Sequence, residues 1–566
     1  MSVIDVTDFG SDRTAAVEAA LAHARTLDGP KRLVLPPGTH DFYPDHATPH
    51  ELYLSNTAGA DPAVRHKRFA FFVDGIDDLT IDGQGAHLQL HGQLGLFAVL
   101  RSSRVTLTNF AFDHTAPRVV DLAVVETGPG YRILQVPADT PYDVDNGLTF
   151  RSDRSPYDGT PYWQFTADQL NYQQVFDPEA GLTTRRHPPL FADAVSIDDL
   201  GNQRLRVNYP TDAVPSGLGL VYALRETTRD TAAGFIWEST DVTVAGLTAR
   251  YLHGFGILGQ FSTDIVVFGN EFAADRSTGR VTGAFADFVQ MSGVKGKISI
   301  VGNTFDGAHD DAINIHGTYL PVTAVDGRTL HLRYAHDETA GFPQFYVGDE
   351  LEIINRASLQ PVGAGIVTAV AGPTGRDSNS LTTMSIELAT DVPAEVAEQP
   401  ADYAVENTTY TPEVRIAGNT FRNLATRAVL LTTRGVSVIE DNIFDGIDME
   451  SIQVAVDASG WYESGPVRDL VIRRNTFRRP TPRAVVIRIH PENTVVDPAT
   501  PVHHNIRIEA NTFELAAEAL VVDAKSTKSL AITNNLITRP GVPEAPLYTY
   551  TATTDIAEHN NTYQAR

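Results

Sequence analysis

The octapeptide ISIVGNTF, residues 298–305, contains the pattern that decides the fold: alternating β-branched residues, two spacers, and Asn-x-aromatic. Variants of it, some ending in Asn-x-apolar, return along the second half of the chain. Their asparagines are Asn270, Asn303, Asn419, Asn442, Asn475, Asn511, Asn535 and Asn561. Short period-2 runs that end in a polar turn predict strands. Helical patterning between these runs is almost absent, so alternating β-α-β units are not expected.

The spacing of these asparagines predicts stacked coils. Successive intervals are 33, 116, 23, 33, 36, 24 and 26 residues. Short repeats of this kind, with Asn at one fixed corner, fit a right-handed parallel β-helix whose coils stack at roughly 4.8 Å. A stacked Asn satisfies backbone groups at a turn and tolerates left-handed dihedrals, so we interpret these corners as structural.

Two long interruptions and one helix organise the rest of the chain. The amphipathic run at 11–27, with Ser11 or Asp12 as its N-cap, predicts a helix that covers the open first coil. The expected fold class is therefore all-β: a right-handed parallel β-helix with an N-terminal capping helix and two inserted antiparallel β-barrel-like domains. The predicted order is 1–118 for the cap and first coils, 119–223 for inserted β domain 1, 224–318 for coils with candidate catalytic residues, 319–411 for inserted β-barrel domain 2, and 412–566 for the C-terminal coils.

Composition excludes several classes of protein. The 566 residues are 42% apolar, which excludes a disordered chain, and 44 Lys+Arg against 70 Asp+Glu give a net charge of −26. This balance repels nucleic acid and anionic membranes, so we expect neither as a partner. The absence of cysteine excludes disulfides, thiolate metal sites and a cysteine nucleophile. The N-terminus has no signal-peptide pattern, which is typical of a cytoplasmic protein or of a secreted one whose leader has been removed. Homo-oligomerisation stays open.

The candidate chemistry lies in two neighbouring coils that align without gaps. DFVQMSG at 287–293 matches DAINIHG at 311–317, 24 positions later. The alternating apolar residues would point inward, and the polar residues between them outward. Asp287 and Asp311 then occupy equivalent positions about 5 Å apart. Asp310 precedes Asp311 directly, so stacking alone places three carboxylates on one surface patch.

Three neighbouring carboxylates are compatible with acid/base hydrolysis but do not by themselves select it. Stacked like charges should raise one pKa, and a raised carboxyl beside an ionised one supplies a general acid and a general base. In glycoside inversion the two groups sit roughly 6.5–9.5 Å apart, a distance that Asp310 and the Asp287/Asp311 pair could span. A solvated acidic corner, or a calcium site at DGAHDD (306–311), explains the same residues and stays open at this stage.

Further residues extend the same column and its surroundings. Aligning later coils places Arg427 and Glu450 over Asp311, so Arg427 is either a compensating charge and sugar ligand or a plain structural ion pair. A loop at 456–465 interrupts the repeat and carries Trp461 next to Tyr462 and Glu463. An aromatic ring beside a carboxylate often forms a sugar platform, although loop packing explains the pattern equally well.

These motifs together resemble glycoside hydrolase family 110. The run NTFDGAHDDAINIHGTY (303–319), the stretch at 406–436 and DASGWYESGPVRDLVIRRNTF (457–477) all look like that family, and the resemblance covers nearly the whole chain. It implies an inverting exo-α-1,3-galactosidase that acts without a metal or other cofactor. Its partner would be a carbohydrate with terminal α-1,3-linked galactose, as in blood-group B and linear α-Gal epitopes.

The arrangement of the aspartates also resembles that of polygalacturonases on a related β-helix. On this analogy Asp310 is the general acid, and Asp287 with Asp311 holds the water as base. The resemblance carries over the subsite residues Asn314, His316, Arg427, Trp461 and Glu463.

Other functions compete with this interpretation. A β-helix polysaccharide lyase would use a Lys or Arg base, usually with calcium, on an acidic uronan. Another polysaccharide hydrolase of the polygalacturonase kind would use the same three aspartates. A non-catalytic, tailspike-like β-helix would bind glycan without turning it over.

Overall fold

The computed structural model describes residues 1–58, 61–185, 187–481, 484–541 and 546–565. Over this part of the chain, parallel strands stack coil upon coil along three faces. The parallel β-helix predicted from the repeat is confirmed.

The three faces are defined by strand pairing between successive coils. The first face contains Ser2–Asp5, Lys31–Val34, Leu79–Leu90, Ser103–His114, Thr240–Ala245, Thr263–Phe268, Lys295–Val301, Glu413–Ala417, Ser437–Glu440, Leu470–Arg473, His503–Glu509, Thr527–Thr533 and Thr554–His559. The second face contains Thr39–Phe42, the ends of Leu79–Leu90 and Ser103–His114, Thr248–Ala249, Glu271–Ala273, Thr304–Asp306, Thr420–Leu424, Ile443–Ile447, Thr476–Arg478, Thr512–Glu514, Leu536–Arg539 and Thr562–Ala565. The third face contains Phe69–Asp74, Gly95–Leu100, Ala232–Trp237, Phe255–Gln260, Val289–Ser292, the start of Ile313–Asp326, Val429–Leu431, Ile452–Val456, Val485–Pro491, Leu520–Lys525 and Tyr548–Thr551.

The corner asparagines form one continuous hydrogen-bonded ladder. Each backbone N–H and each Nδ2 donates to the Oδ1 of the next asparagine, for example 2.9 Å from both Asn270 donors to Asn303. The ladder continues from Asn303 directly to Asn419, although 116 residues separate them. It then runs through Asn442, Asn475, Asn511 and Asn535 to Asn561. The structural role predicted for these residues is confirmed.

A column of aromatic rings fills the coil beside this ladder. Rings of Phe305, Phe421, Phe444, Phe477 and Phe513 follow one another with centroids 4.7–5.3 Å apart. Each lies two residues after a ladder asparagine and is buried. The Asn-x-Phe motif therefore fixes both the turn and the packing of each coil.

The first insert consists of two antiparallel sheets. Its seven-stranded sheet has the order Leu182–Thr184, Tyr172–Asp177, Val221–Arg225, Val120–Gly128, Tyr131–Gln135, Arg204–Asn208, Ser196–Asp199. Its three-stranded sheet contains Tyr142–Asp143, Thr149–Arg151 and Gln164–Thr166. Phe150 and Trp163 from the smaller sheet and its flank pack on the apolar face of the larger one. The smaller sheet thus buries the apolar face of the larger one, so the larger sheet does not need to close on itself. Among the described strands its two edge strands do not pair with each other, and the barrel-like shape expected of this insert is not formed.

The second insert closes into an antiparallel barrel. Its strands are the second half of Ile313–Asp326, Thr329–Arg333, Thr383–Leu388, Gln360–Ala371, Glu350–Asn355 and Tyr403–Asn407, each paired with the next and the last with the first. Strand Ile313–Asp326 begins in the β-helix and ends in the barrel, so the insert is continuous with the coil that carries Asp311. The barrel predicted here is confirmed, while the five domain limits stay a prediction.

The N-terminal helix covers the first coil as expected. It spans Arg13–Ala24, and the Asp12 side chain accepts a hydrogen bond from the Ala15 N–H at 2.9 Å, so Asp12 rather than Ser11 is the N-cap. The other helices are Ala394–Glu398 and the 3-10 turns Val6–Phe9, Pro44–His46, Arg276–Thr278, Asp337–Thr339 and Pro400–Asp402. Short antiparallel strands His50–Glu51, His66–Lys67 and Glu463–Ser464 complete the described elements. None of the helices in the described ranges is long and apolar enough to cross a membrane.

Candidate active site

The two aligned coils stack in the predicted register. Val289 pairs with Ile313, so Asp287 and Asp311 occupy matching positions just before their strands. The Phe288 N–H donates to the backbone oxygen of Asp311 at 3.2 Å, which brings the two coils together at this point. In the next coils the backbone oxygens of Arg427 and Glu450 accept equivalent bonds, so the predicted column Asp287–Asp311–Arg427–Glu450 is present.

A cavity of about 330 Å³ opens over this column. Its lining includes seven of the eight residues that the sequence proposed: Asp287, Asp310, Asp311, Asn314, Arg427, Trp461 and Glu463. Asn56, Tyr172, Arg185, Arg229, Phe255 and Leu430 complete it. The walls thus come from the β-helix, the N-terminal segment, the first insert with its exit linker, and the 456–465 loop.

Asp310 faces two arginines that the sequence did not reveal. The Nη2 of Arg229 lies 2.5 Å from Asp310 Oδ2, and the Nη2 of Arg185 lies 4.0 Å from Oδ1. Arg185 belongs to the first insert, and Arg229 belongs to the segment that leads from that insert back into the helix. Asp310 is therefore held at the junction between insert and β-helix.

Asp311 is held by Arg427 through a two-pronged ion pair. The Nε of Arg427 donates to Asp311 Oδ1 at 2.8 Å, and its Nη2 lies 2.8 Å from Oδ2. The Asp311 side chain is 2% exposed. A planar guanidinium can donate two parallel hydrogen bonds to a carboxylate, which fixes the orientation of the carboxylate more strictly than a lysine ammonium would.

The three carboxyl groups have different proton affinities. Burial, reinforced by the charges of Asp310 and Asp311, raises the pKa of Asp287 well above its usual range. Burial also raises the pKa of Asp311 to about 6, against the opposing charge of Arg427. For Asp310 burial acts upward too, but Arg229 and Arg185 outweigh it and hold its pKa below the usual value. Asp310 therefore ionises most readily of the three, and Asp287 retains its proton to higher pH than an ordinary aspartate.

Glu463 links the loop to the outward face of the aligned strands. Its Oε1 accepts a hydrogen bond from Asn314 Nδ2 at 3.0 Å and lies 3.7 Å from His316 Nε2. The Oδ1 of Asn314 is buried and has no hydrogen-bond partner among the described residues. His316 is buried and does not reach the cavity lining; it contacts Glu463 and Gln290 instead. Its predicted role in binding is therefore at most indirect, through Glu463.

Trp461 forms the rim of the cavity. Its side chain is 44% exposed, and His336 from the second insert stacks on it with ring centroids 4.2 Å apart. Arg229 lies 5.7 Å from the Trp461 ring centroid and 3.5 Å from Glu338. The rim therefore joins the loop, the second insert and the exit linker of the first insert.

The residues missed by sequence reasoning come from segments without a repeat. Asn56 belongs to an N-terminal segment that lies over the third face, where the Ser55 N–H donates to Gln260 Oε1 at 2.8 Å. This segment also covers outward-facing Ser292, which is buried and accepts a hydrogen bond from Ser55 Oγ at 2.9 Å. The one usable signal was charge: RETTRD at 225–230 carries arginines close to the predicted coils, and three carboxylates require compensation.

The donor set of the cavity is arginine and carboxylate rather than a metal cage. Among the described residues there is no group of three or more His, Cys, Asp or Glu placed to hold a metal ion. A water-accessible pocket with carboxyls of separated pKa, open beside an aromatic rim, meets the requirements of acid/base cleavage of a glycosidic bond. Fold and site together define the class of protein as a β-helix glycoside hydrolase.

Comparison with known proteins narrows the class to a family. The chain is 48% identical to α-1,3-galactosidase A of Streptomyces avermitilis over 562 residues, covering 97% of this chain and 89% of that protein. It is 41% identical to α-1,3-galactosidase A of Peterkaempfera griseoplana over 608 residues, covering 99% and 83%. The chain belongs to the α-1,3-galactosidase family. No protein-family model matches the chain. A family 28 exopolygalacturonase of Yersinia enterocolitica aligns structurally at a TM-score of 0.36 and 11% identity, over 98% of this chain and 78% of that one.

The raised pKa of Asp287 predicts that replacing this carboxyl stabilises the protein more as the pH rises. A carboxyl whose pKa is higher folded than unfolded loses stability as pH rises from the unfolded pKa through the folded one. Asp287→Asn removes this loss, so the difference in melting temperature, variant minus wild type, should grow more positive from pH 4 to pH 8. Thermal melts across that range test the prediction. A difference that is constant or shrinks with pH contradicts it.

Proposed function

We propose that the chain is an inverting exo-glycosidase of glycoside hydrolase family 110 that removes terminal α-1,3-linked galactose. The observation that carries this proposal is the trio Asp287, Asp310 and Asp311, which line one cavity with the pKa of Asp287 raised and that of Asp310 lowered. We infer the cleaved linkage, α-1,3-galactosidic, from the family, since both relatives named above are called α-1,3-galactosidases. Blood-group B and linear α-Gal glycans are the substrates we propose.

The cavity suits a single terminal sugar. Its volume is about 330 Å³ and four separate parts of the chain line it, as a pocket for an end residue requires. Trp461 offers an apolar face to the sugar ring, and Glu463 with Asn314 offers acceptors to its hydroxyls. Arg427 faces the same space while it holds Asp311.

In the proposed reaction, an acid protonates the glycosidic oxygen while a base takes a proton from water. The water oxygen bonds to the anomeric carbon as the bond to the leaving sugar breaks, so the configuration inverts. We propose Asp310 as the acid, because it does not share the stacked register of the other two, and Asp287 with Asp311 as the groups that hold the water.

The electrostatics add a requirement to this assignment. Asp310 is ionised in the substrate-free pocket, whereas the acid must carry a proton. Asp287 binds a proton more tightly than Asp310 in the same coupled cluster, so this assignment requires that Asp310 gain a proton when substrate binds. If Asp310 gains no proton, Asp287 is the acid; the leaving-group experiment below separates the two assignments.

The stereochemistry of the first product tests the proposal directly. Proton NMR during hydrolysis of an α-1,3-galactoside should show β-galactose first and the α-anomer only after mutarotation. A substrate panel of branched B-type, linear α-1,3, α-1,4, α-1,6 and nitrophenyl galactosides should show turnover of the α-1,3 linkage above the others. Initial α-galactose contradicts inversion.

The rival functions predict different products. A lyase would release an unsaturated sugar that absorbs in the ultraviolet. A binding protein would retain oligosaccharide without releasing galactose, and Asp310→Asn would leave its behaviour unchanged. The buried carboxyl–arginine pairs of this cavity favour hydrolysis, since neither rival needs carboxyls of separated pKa.

A further inference from the structure

The backbone oxygen of His309 accepts three hydrogen bonds from the first insert. Its donors are Gln174 Nε2 at 2.9 Å, Tyr172 Oη at 3.1 Å and Arg185 Nη2 at 2.6 Å. A carbonyl oxygen has two lone pairs, so three donors, one of them charged, are more than it ordinarily receives. This carbonyl is the one that forms the peptide bond to Asp310.

The first insert also reaches the side chain of His309, through Thr282 of the β-helix. The ring Nε2 lies 3.3 Å from Thr282 Oγ1, which in turn donates to Asp121 Oδ1 at 2.8 Å. Asp121 belongs to the entry strand Val120–Gly128 and also accepts the N–H groups of Val281 and Thr282. His309 is 1% exposed, so its ring and its carbonyl are both fixed in a closed environment.

The two linkers of this insert are joined to each other at the same place. Arg118, just before the entry strand, pairs with Glu226 and with Asp230 on the exit linker, and all three are buried. Arg229, between them, bonds Asp310. The insert thus approaches Asp310 from the carbonyl side through Gln174 and from the carboxyl side through Arg229.

We propose that the first insert is a positioning element for Asp310, and that Gln174 and the hydroxyl of Tyr172 are positioning residues that hold the His309–Asp310 peptide. Asp310 lies in a bend between strands Thr304–Asp306 and Ile313–Asp326, whereas the backbone oxygen of Asp311 is bonded to the neighbouring coil by the Phe288 N–H. The orientation of Asp310 therefore depends on contacts outside the coil. This inference rests on the proposed hydrolase function, because it assigns a cause to the placement of one catalytic carboxyl.

Gln174 provides the cleaner variant, because it is 1% exposed and does not line the cavity. Gln174→Leu removes one donor to the His309 carbonyl at similar volume. Since a misplacement of about 1 Å costs up to 10²-fold in rate, kcat should fall about 10- to 100-fold while KM stays within about twofold. The pH profile of kcat should also shift, because Asp310 moves relative to Arg229 and Arg185.

Tyr172→Phe provides a second, less disruptive variant. It deletes a single oxygen and retains the ring, which lies 3.9 Å from the Arg225 guanidinium carbon and 4.8 Å from that of Arg185. Its kcat should also fall, and the double variant should lose more than either single one. Should Gln174→Leu fail to fold, Tyr172→Phe decides the proposal alone.

The matched control is Gln173→Leu on the same strand. Gln173 is also a glutamine, but its Nε2 donates to the backbone carbonyls of His187 and Pro188 and not to that of His309. Its kcat, KM and pH profile should equal those of the wild type. The proposal is overturned if Gln174→Leu and Tyr172→Phe behave like this control, or if they lower only the melting temperature. Failure of the proposed function looks different, because the wild type itself would then release no galactose.

Discussion

Asp311→Asn and Asp310→Asn should each lower kcat on an α-1,3-galactoside by about 10²–10⁴-fold, the usual contribution of a positioned acid or base. Both side chains lie in the cavity, and each faces an arginine that would remain in place. The amide replacement keeps the size of the side chain and one acceptor oxygen, but it removes the charge and the ability to gain or lose a proton near neutral pH. Initial rates of galactose release, with circular dichroism to verify the fold, measure the effect.

Glu450→Gln is the matched control for these variants. Glu450 lies in the same column two coils beyond Asp311, is 5% exposed, and pairs with Arg488 at 2.7 Å outside the cavity. It should retain near-normal kcat. If either aspartate variant retains comparable activity, its catalytic role is wrong.

Leaving-group dependence identifies the acid among the three carboxyls. A variant without its general acid should recover most on an aryl galactoside whose leaving group needs no proton, whereas a variant without its base should not. Asp310→Asn should show this recovery, and Asp287→Asn should not. The reverse result would assign the proton donor to Asp287, in agreement with its raised pKa in the substrate-free protein.

Arg427→Met should produce the largest loss of stability at alkaline pH. The substitution leaves Asp311, 2% exposed, without its two-pronged partner, and breaking a buried pair in this way costs about 3–5 kcal/mol. Arg427 lowers the pKa of Asp311, so its removal raises the folded pKa further above the unfolded value. The destabilisation should therefore grow between pH 5 and pH 8, as measured by urea denaturation at each pH.

The double variant Arg427→Met/Asp311→Asn separates charge from packing. Replacing the stranded carboxylate by an amide should restore most of the unfolding free energy at pH 8, while activity stays lost. If the double variant is no more stable than Arg427→Met, the loss comes from the missing side-chain contacts of Arg427 instead.

Most of the fold could be predicted from sequence because each repeat marks the strand, the corner asparagine and the buried ring of one coil. All eight asparagines of the motif join the ladder, and the alignment of 287–293 with 311–317 is the register of the paired strands. The barrel of the second insert could also be predicted, since its strands alternate and are separated by turn residues. The open sheets of the first insert could not, because strand patterns do not state how a sheet covers its apolar face.

The site was predictable where it lies on the repeat and in the 456–465 loop, whose Trp461 and Glu463 the sequence also marked. Asp287, Asp311 and Arg427 follow from stacking, and Asp310 follows from its place beside Asp311. Arg229 and Arg185 reach the pocket through linkers and loops whose course depends on tertiary contacts such as the buried pairs of Arg118. No periodicity marks such segments, and only the need for compensating positive charge pointed to them.

The step of the asparagine ladder from Asn303 to Asn419 has a consequence for synthesis on the ribosome. Strand Lys295–Val301 pairs with Glu413–Ala417, and at about 5–20 residues per second the interval takes roughly 6–23 s to translate. For that time the nascent protein ends in an unpaired strand edge, the kind of surface that recruits other chains. The barrel can close in the meantime, because its strands pair among themselves. Its final strand brings Glu406 against Tyr319, and Glu413 follows only seven residues later. Early closure of the barrel would therefore bring strand Glu413–Ala417 close to the unpaired edge of Lys295–Val301 and shorten the time for which that edge is exposed.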